Sequence, residues 1–172
     1  MNKAIFLDRD GTINIDKNYV YKIEDWEFIE GVIEGLQLLQ RLGFKLIVIT
    51  NQSGIARGYY TETDAHKIFD YMINELKKSG VIIERVYYFP HVGNECNCRK
   101  PKLDLFYQAQ KDYDIDFSKS YAIGDKLRDL TICENESVKG FLLNNDDEIN
   151  NAKIKRCKNL LEAAKFIEKG MN

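Results

Sequence analysis

The sequence predicts an α/β fold, a Rossmann-like parallel sheet with helices on both faces. Two observations carry this. Short β-rich apolar runs alternate with longer stretches of helical period, and polar residues capable of chemistry follow the apolar runs, where an open parallel sheet collects its ligands. Ala4 to Leu7 is the first strand. Gly31 to Leu42 sets Val32, Leu36 and Leu39 on one helical face, Gly43 ends it, and Phe44 to Ile49 follows as a buried strand. Thr61 to Ser79 opens with a Thr-x-x-Asp capping pattern and carries Ile68, Met72, Ile73 and Leu76 at helical spacing; Gly80 then leads to a strand at Arg85 to Phe89. Leu103 to Tyr113 reads as a helix, Ser120 to Ile123 as the fourth strand, Leu127 to Asn135 as a helix, Gly140 to Leu143 as the fifth strand, and Asn159 to Glu168 as the closing helix. The polar stretch Asn144 to Asn151 is expected to be a mobile surface loop, too short and too late to divide two domains. Residues 1–172 are therefore expected to form a single domain without a large cap.

Composition narrows the function classes. The chain has 172 residues, 44% hydrophobic and 30% charged, the profile of one soluble globular domain. The net charge is −2, and its 25 basic residues are scattered among 27 acidic ones, which argues against a cationic face for nucleic acid. Neither a signal peptide nor a membrane-spanning run is visible, so a cytoplasmic monomer without a membrane partner is expected. Cys96 and Cys98 are one residue apart while Cys133 and Cys157 are isolated, which suits reduced thiols or metal ligands better than a disulfide framework.

The residues after the strands are the informative ones. Asp8-Arg9-Asp10-Gly11-Thr12 follows the first strand, Thr50-Asn51-Gln52-Ser53-Gly54 the second, a loop ending Cys98-Arg99-Lys100-Pro101 the third, and Gly124-Asp125-Lys126, with Asp129 beyond, the fourth. Carboxylates gathered without compensation repel, and hard oxygen ligands suit Mg²⁺, which also binds phosphate oxygens. Within such a site Asp8 can attack phosphorus once the phosphate's charge is neutralised. Asp10 can protonate the leaving oxygen and then deprotonate water. Thr50 offers a hydroxyl donor and Lys100 a positive charge to the transferring phosphoryl oxygens, and Asp125 is the expected further metal ligand.

Each element alone is commonplace. Asp-x-Asp-Gly also marks turns and calcium loops, a threonine at a strand end is more often a cap, a lone lysine is more often solvated, and Gly-Asp is more often a turn. Their occurrence in order, each at a strand's carboxyl end, is what selects the catalytic reading.

Asp8-x-Asp10-Gly11-Thr12, Thr50, Lys100 and Gly124-Asp125-x-x-x-Asp129 resemble the four motifs of the haloacid dehalogenase (HAD) superfamily of phosphohydrolases. From Ile5 to about Leu143 the chain looks like the D-glycero-D-manno-heptose 1,7-bisphosphate 7-phosphatases and the related histidinol-phosphatases. The stretches Phe6 to Asn14 and Thr50 to Tyr59 are closest to the heptose group, and Cys96-x-Cys98-Arg99-Lys100-Pro101 is shared by both. The resemblance implies that Asp8 is the nucleophile, Asp10 the general acid and base, and that Mg²⁺ is held by the Asp8 side chain, the Asp10 carbonyl and Asp125. It further implies that Asp16, Lys17, Asn18, Tyr19, Asn51, Gln52, Ser53, Arg99 and Lys126 contact a phosphorylated sugar. Arg99 and Lys126 suit a second phosphate.

The chain departs from these relatives at a zinc loop that they build from Cys-x-His and Cys-x-Cys. Phe89 occupies the first cysteine position, leaving His91, Cys96 and Cys98. Either zinc binds with water as its fourth ligand, or Phe89 packs into the core and the loop folds without metal. A short loop between Pro90 and Cys96 resembles the histidinol-phosphatases, whereas Ser53 to Gly58 resembles the heptose enzymes and lies nearer the phosphate. A heptose bisphosphate, serving nucleotide-heptose and lipopolysaccharide synthesis, is the expected substrate, with histidinol phosphate or another small metabolite as the alternative. A non-catalytic binding module on the same scaffold would have lost a motif carboxylate, and none is lost.

Overall fold

The computed structural model describes residues 1–91 and 102–171. In chain order it contains β1 (Ala4–Leu7), α1 (Val32–Arg41), β2 (Lys45–Asn51), α2 (Glu62–Lys78), β3 (Ile83–Phe89), α3 (Asp104–Tyr113), β4 (Tyr121–Gly124), α4 (Ile132–Asn135), β5 (Lys139–Leu142), β6 (Ile154–Arg156) and α5 (Leu160–Met171). The strands form one parallel sheet in the order β3-β2-β1-β4-β5-β6. Parallel strands need crossover connections, and these lay helices over both faces, as expected from the alternating pattern.

Strand β1 shows how the two cores arise. Its four residues are all buried, but the pleat sends them in alternate directions. Ile5 and Leu7 join Val32, Leu36 and Leu39 of α1, Met72 and Leu76 of α2, and Leu160, Ala163 and Ile167 of α5. Ala4 and Phe6 face the other way, onto Leu105, Phe106 and Ala109 of α3 and Ile132 and Cys133 of α4. Gly35 lets α1 and α5 approach closely, since a Cβ there would stand 2.6 Å from Leu160 Cδ2. Helix α2 starts as its capping pattern predicts: Asp64 N donates to Thr61 Oγ1 (3.1 Å), and Thr61 N donates to Asp64 Oδ2 (2.9 Å).

Three expectations need correction. The helix over Leu127 to Asn135 is interrupted, with a 3₁₀ turn at Leu127–Leu130 followed by the short α4. The tighter turn is closed by Asp129 N donating to Lys126 O, while the Asp129 carboxylate accepts from Lys126 N (3.2 Å) and caps its start. The sixth strand was not anticipated. It has three residues, of which only Ile154 is buried, so no apolar run marks it. The loop after β5 is tied down at its start rather than free: Asn144 Nδ2 donates to Asp125 O (2.5 Å) and Asp147 Oδ2 (2.9 Å), and Arg156 on β6 donates to the carbonyls of Asn144 and Asp147. Among the described residues no helix is long and apolar enough to cross a membrane.

Candidate active site

Chain order along the sheet reverses at β1 and β4, and the gap outside their carboxyl ends is where such sheets bind ligands. Asp8 leaves β1 with its amide donating to Ile123 O of β4 (3.1 Å), so the Asp8 and Asp125 loops start side by side. Carboxylate oxygens of Asp8, Asp125 and Asp129 lie within 4.8 Å of one another. Two glycines make room for them. Gly11, at φ 82°, passes so near Asp125 that a Cβ would overlap the carboxylate, and a Cβ on Gly124 would overlap the Asp129 side chain.

Burial, reinforced by the charge of Asp129, pushes the Asp125 carboxyl up to about 6. Three convergent carboxylates are hard oxygen donors whose mutual repulsion a divalent cation would offset, so these residues fit Mg²⁺. The Asp10 side chain is turned out of this group. Its Oδ1 accepts from Arg9 Nη2 (2.8 Å) and Asn14 Nδ2 (3.0 Å), while the residue still lines the cleft.

The cleft has a volume of about 300 Å³. Of the expected residues, Asp8, Asp10, Asp16, Asn18, Tyr19, Thr50, Asn51, Gln52, Ser53 and Lys126 line it. Lys17 does not, because its Nζ pairs with Glu27 (3.0 Å). The Asp16–Tyr19 turn is held by Asp16 Oδ1 accepting from Asn18 N (3.0 Å), with Asn18 and Tyr19 both in left-handed backbone at φ 59° and 58°. That conformation is uncommon away from glycine and marks an imposed shape. Tyr19 meets the Tyr59 ring edge-on at 4.7 Å. Arg99 and Lys100 fall outside the described residues, as do Cys96 and Cys98 of the zinc expectation; Phe89 is fully buried, with the exposed His91 ring 5.2 Å from its own.

Four residues that line the cleft were not singled out for it: Arg57, Tyr60, Arg128 and Asp129. Asp129 was legible as the last acid of its motif. Tyr60 was not, since no local pattern joins it to Gln52. Burial pushes its phenol up to about 12, so it is a protonated donor, and its hydroxyl bonds Gln52 Oε1. Gln52 Nε2 in turn donates to Thr50 Oγ1 (3.0 Å). With one lone pair so engaged, the Thr50 hydroxyl is left to donate its own hydrogen, the role a phosphoryl oxygen requires.

A family model described as Polynucleotide kinase 3 phosphatase matches residues 3–128. The chain is 43% identical over 166 residues to the D-glycero-alpha-D-manno-heptose-1,7-bisphosphate 7-phosphatase of Campylobacter jejuni, covering 96% of both chains. It is 48% identical over 149 residues to the D-glycero-beta-D-manno-heptose-1,7-bisphosphate 7-phosphatase of Haemophilus ducreyi, covering 82% of both. Among solved structures it resembles a D,D-heptose 1.7-bisphosphate phosphatase from B. bronchiseptica complexed with magnesium and phosphate, with a TM-score of 0.89, 27% identity, and coverage of 98% of this chain and 99% of that one.

The carboxylates generate a pH-dependent prediction. Because burial pushes Asp125 up to about 6 in the metal-free folded protein against an ordinary 3.8, this group binds more proton in the native state than in the unfolded chain between those values, and its contribution to stability falls as pH rises through them. A bound cation removes that loss by favouring the ionised form. MgCl₂ at about 100 times its Kd at about pH 7.5 should raise Tm by roughly 5 °C at that pH and, at the same concentration, clearly less at about pH 5. In Asp125→Asn the increment should largely vanish. Thermal scans with and without Mg²⁺ check this; equal increments at both pH values would contradict it.

Proposed function

The chain belongs to the phosphatase family matched by the Polynucleotide kinase 3 phosphatase model, within the HAD superfamily and alongside the D-glycero-D-manno-heptose-1,7-bisphosphate 7-phosphatases, and on that premise we propose that it hydrolyses the 7-phosphate of D-glycero-D-manno-heptose 1,7-bisphosphate. The observation that carries this reading is the convergence of the Asp8, Asp125 and Asp129 carboxylates, two of which, Asp8 and Asp129, line a polar cleft. Sequence similarity to the heptose enzymes over nearly the whole chain favours that sugar over histidinol phosphate. A net charge of −2, with basic residues scattered among acidic ones, disfavours a polynucleotide. The reaction belongs to nucleotide-heptose and lipopolysaccharide synthesis, in the cytoplasm.

Asp8, Asp125 and Asp129 would hold Mg²⁺, together with the Asp10 carbonyl, and the ion when bound supplies charge neutralisation for the phosphate. An Asp8 oxygen attacks phosphorus in line, forming the phosphoaspartate as the bond to the sugar O7 breaks. Asp10 gives its proton to O7, so the leaving group departs as an alcohol. Water then attacks the phosphoaspartate phosphorus, Asp10 takes its proton, and phosphate leaves with Asp8 restored. Thr50, oriented by Gln52, and Lys100 donate to the equatorial oxygens. Lys126 and Arg99 bind the second phosphate, at C1.

Phosphate release from the 1,7-bisphosphate, compared with a sugar monophosphate, tests the substrate. Lys126→Ala should lower kcat/KM for the bisphosphate by about ten- to a hundredfold and for the monophosphate by much less. Equal losses would remove Lys126 from the second phosphate.

The zinc loop follows the buried Phe89, whose carbonyl accepts from Gln52 N (2.8 Å) while Pro90 O accepts from Ala56 N (3.1 Å). Apolar burial and these bonds fix the start of the loop, which makes zinc on His91, Cys96 and Cys98 a secondary support. Elemental analysis should find zinc below one equivalent, and chelation followed by Mg²⁺ should restore most activity. Stoichiometric zinc whose removal abolishes activity irreversibly would contradict this.

A further inference from the structure

Arg9 is 1% exposed, among the largest fully buried side chains, in a position where a cation is costly unless paired. Its guanidinium carbon lies 5.7 Å from the centre of the Trp26 ring and 5.8 Å from that of Phe69. Among the described residues one nitrogen carries all its polar bonds. Nη2 donates to Asp10 Oδ1 (2.8 Å) and to the carbonyl of Val20 (2.7 Å), whereas Nε and Nη1 have no hydrogen-bond partner there. The two hydrogens of a single amino group thus join Asp10 to the residue that follows the strained Asp16–Tyr19 turn.

We propose that Arg9 is a positioning residue for proton transfer, holding Asp10 by one oxygen and locking it to the turn that forms one wall of the cleft. The inference rests on the reading of Asp10 as general acid. With Arg9 and Asn14 both donating to Oδ1, an O–H on that oxygen would oppose N–H donors, so the transferable proton belongs on Oδ2. Asp10 lines the cleft in which the leaving group would sit. The two neighbouring aromatic rings favour the guanidinium by cation–π attraction without offering the strong acceptor that Asp10 does. A lysine here would offer three donors on one nitrogen but not the planar, rigid guanidinium that fixes the direction of the two N–H bonds.

The test separates protonation of the leaving group from everything else the site does. A sugar alkoxide needs a proton to depart and the acetate of acetyl phosphate does not. The quantity to measure is therefore the ratio of kcat/KM for a sugar phosphate that the wild type turns over to kcat/KM for acetyl phosphate. Both values report steps up to phosphoryl transfer to Asp8, and an unfolded fraction lowers them equally, so the ratio survives imperfect folding of a variant. In Arg9→Met and Arg9→Lys the ratio should fall about tenfold or more, with acetyl phosphate within about threefold of wild type per folded molecule; Asp10→Asn should lower the ratio further. A ratio lowered in Asp10→Asn but unchanged in both Arg9 variants would overturn the role of Arg9 while leaving the acid assignment standing. A ratio unchanged in Asp10→Asn itself would overturn the acid assignment, and the inference with it.

Discussion

The structure depends on one unfavourable placement, three carboxylates brought within 4.8 Å of one another at the edge of a sheet. Burial, and after it the neighbouring charge of Asp129, pushes the Asp125 carboxyl up to about 6, so its ionised form is disfavoured there. The scaffold supplies the means to impose it. Asp8 and Asp125 leave adjacent parallel strands whose register is fixed by buried residues on both faces, so neither can retreat without moving a core. A site strained in this way favours whatever brings positive charge and accepts carboxylate oxygens.

The cleft around this centre is built by side chains acting through one another. Thr50 is oriented by Gln52, and Gln52 by Tyr60, which packs where Gly54 has no side chain. Asp10 is held off the carboxylate group by Arg9 and Asn14. Each arrangement uses buried polar groups whose hydrogen bonds are strong in a low dielectric and costly to lose, which keeps the donors in place before substrate arrives.

Much of this was legible in the sequence because it is local. The strand ends, the capping box at Thr61 and the acids of the first and fourth motifs all follow from residues a few positions apart. The misses share a cause. Tyr60 reaches Gln52, Arg9 reaches Val20, and Arg156 anchors Asn144 through contacts that no period or short spacing encodes. Strand β6 lacked an apolar run because only one of its three residues is buried, and Lys17 was drawn from the cleft by Glu27, a partner ten positions away that the motif does not include.

The central claim is that Asp8 becomes covalently phosphorylated. Borohydride reduces an acyl phosphate to the alcohol, so enzyme quenched into borohydride during turnover should contain homoserine in place of Asp8, located by mass spectrometry of the peptide spanning β1. The same treatment without substrate should leave Asp8 intact. Homoserine at position 8 only when substrate is present is the predicted result. Unmodified Asp8 under rapid turnover, with the reduced alcohol at another acidic residue, would contradict the account.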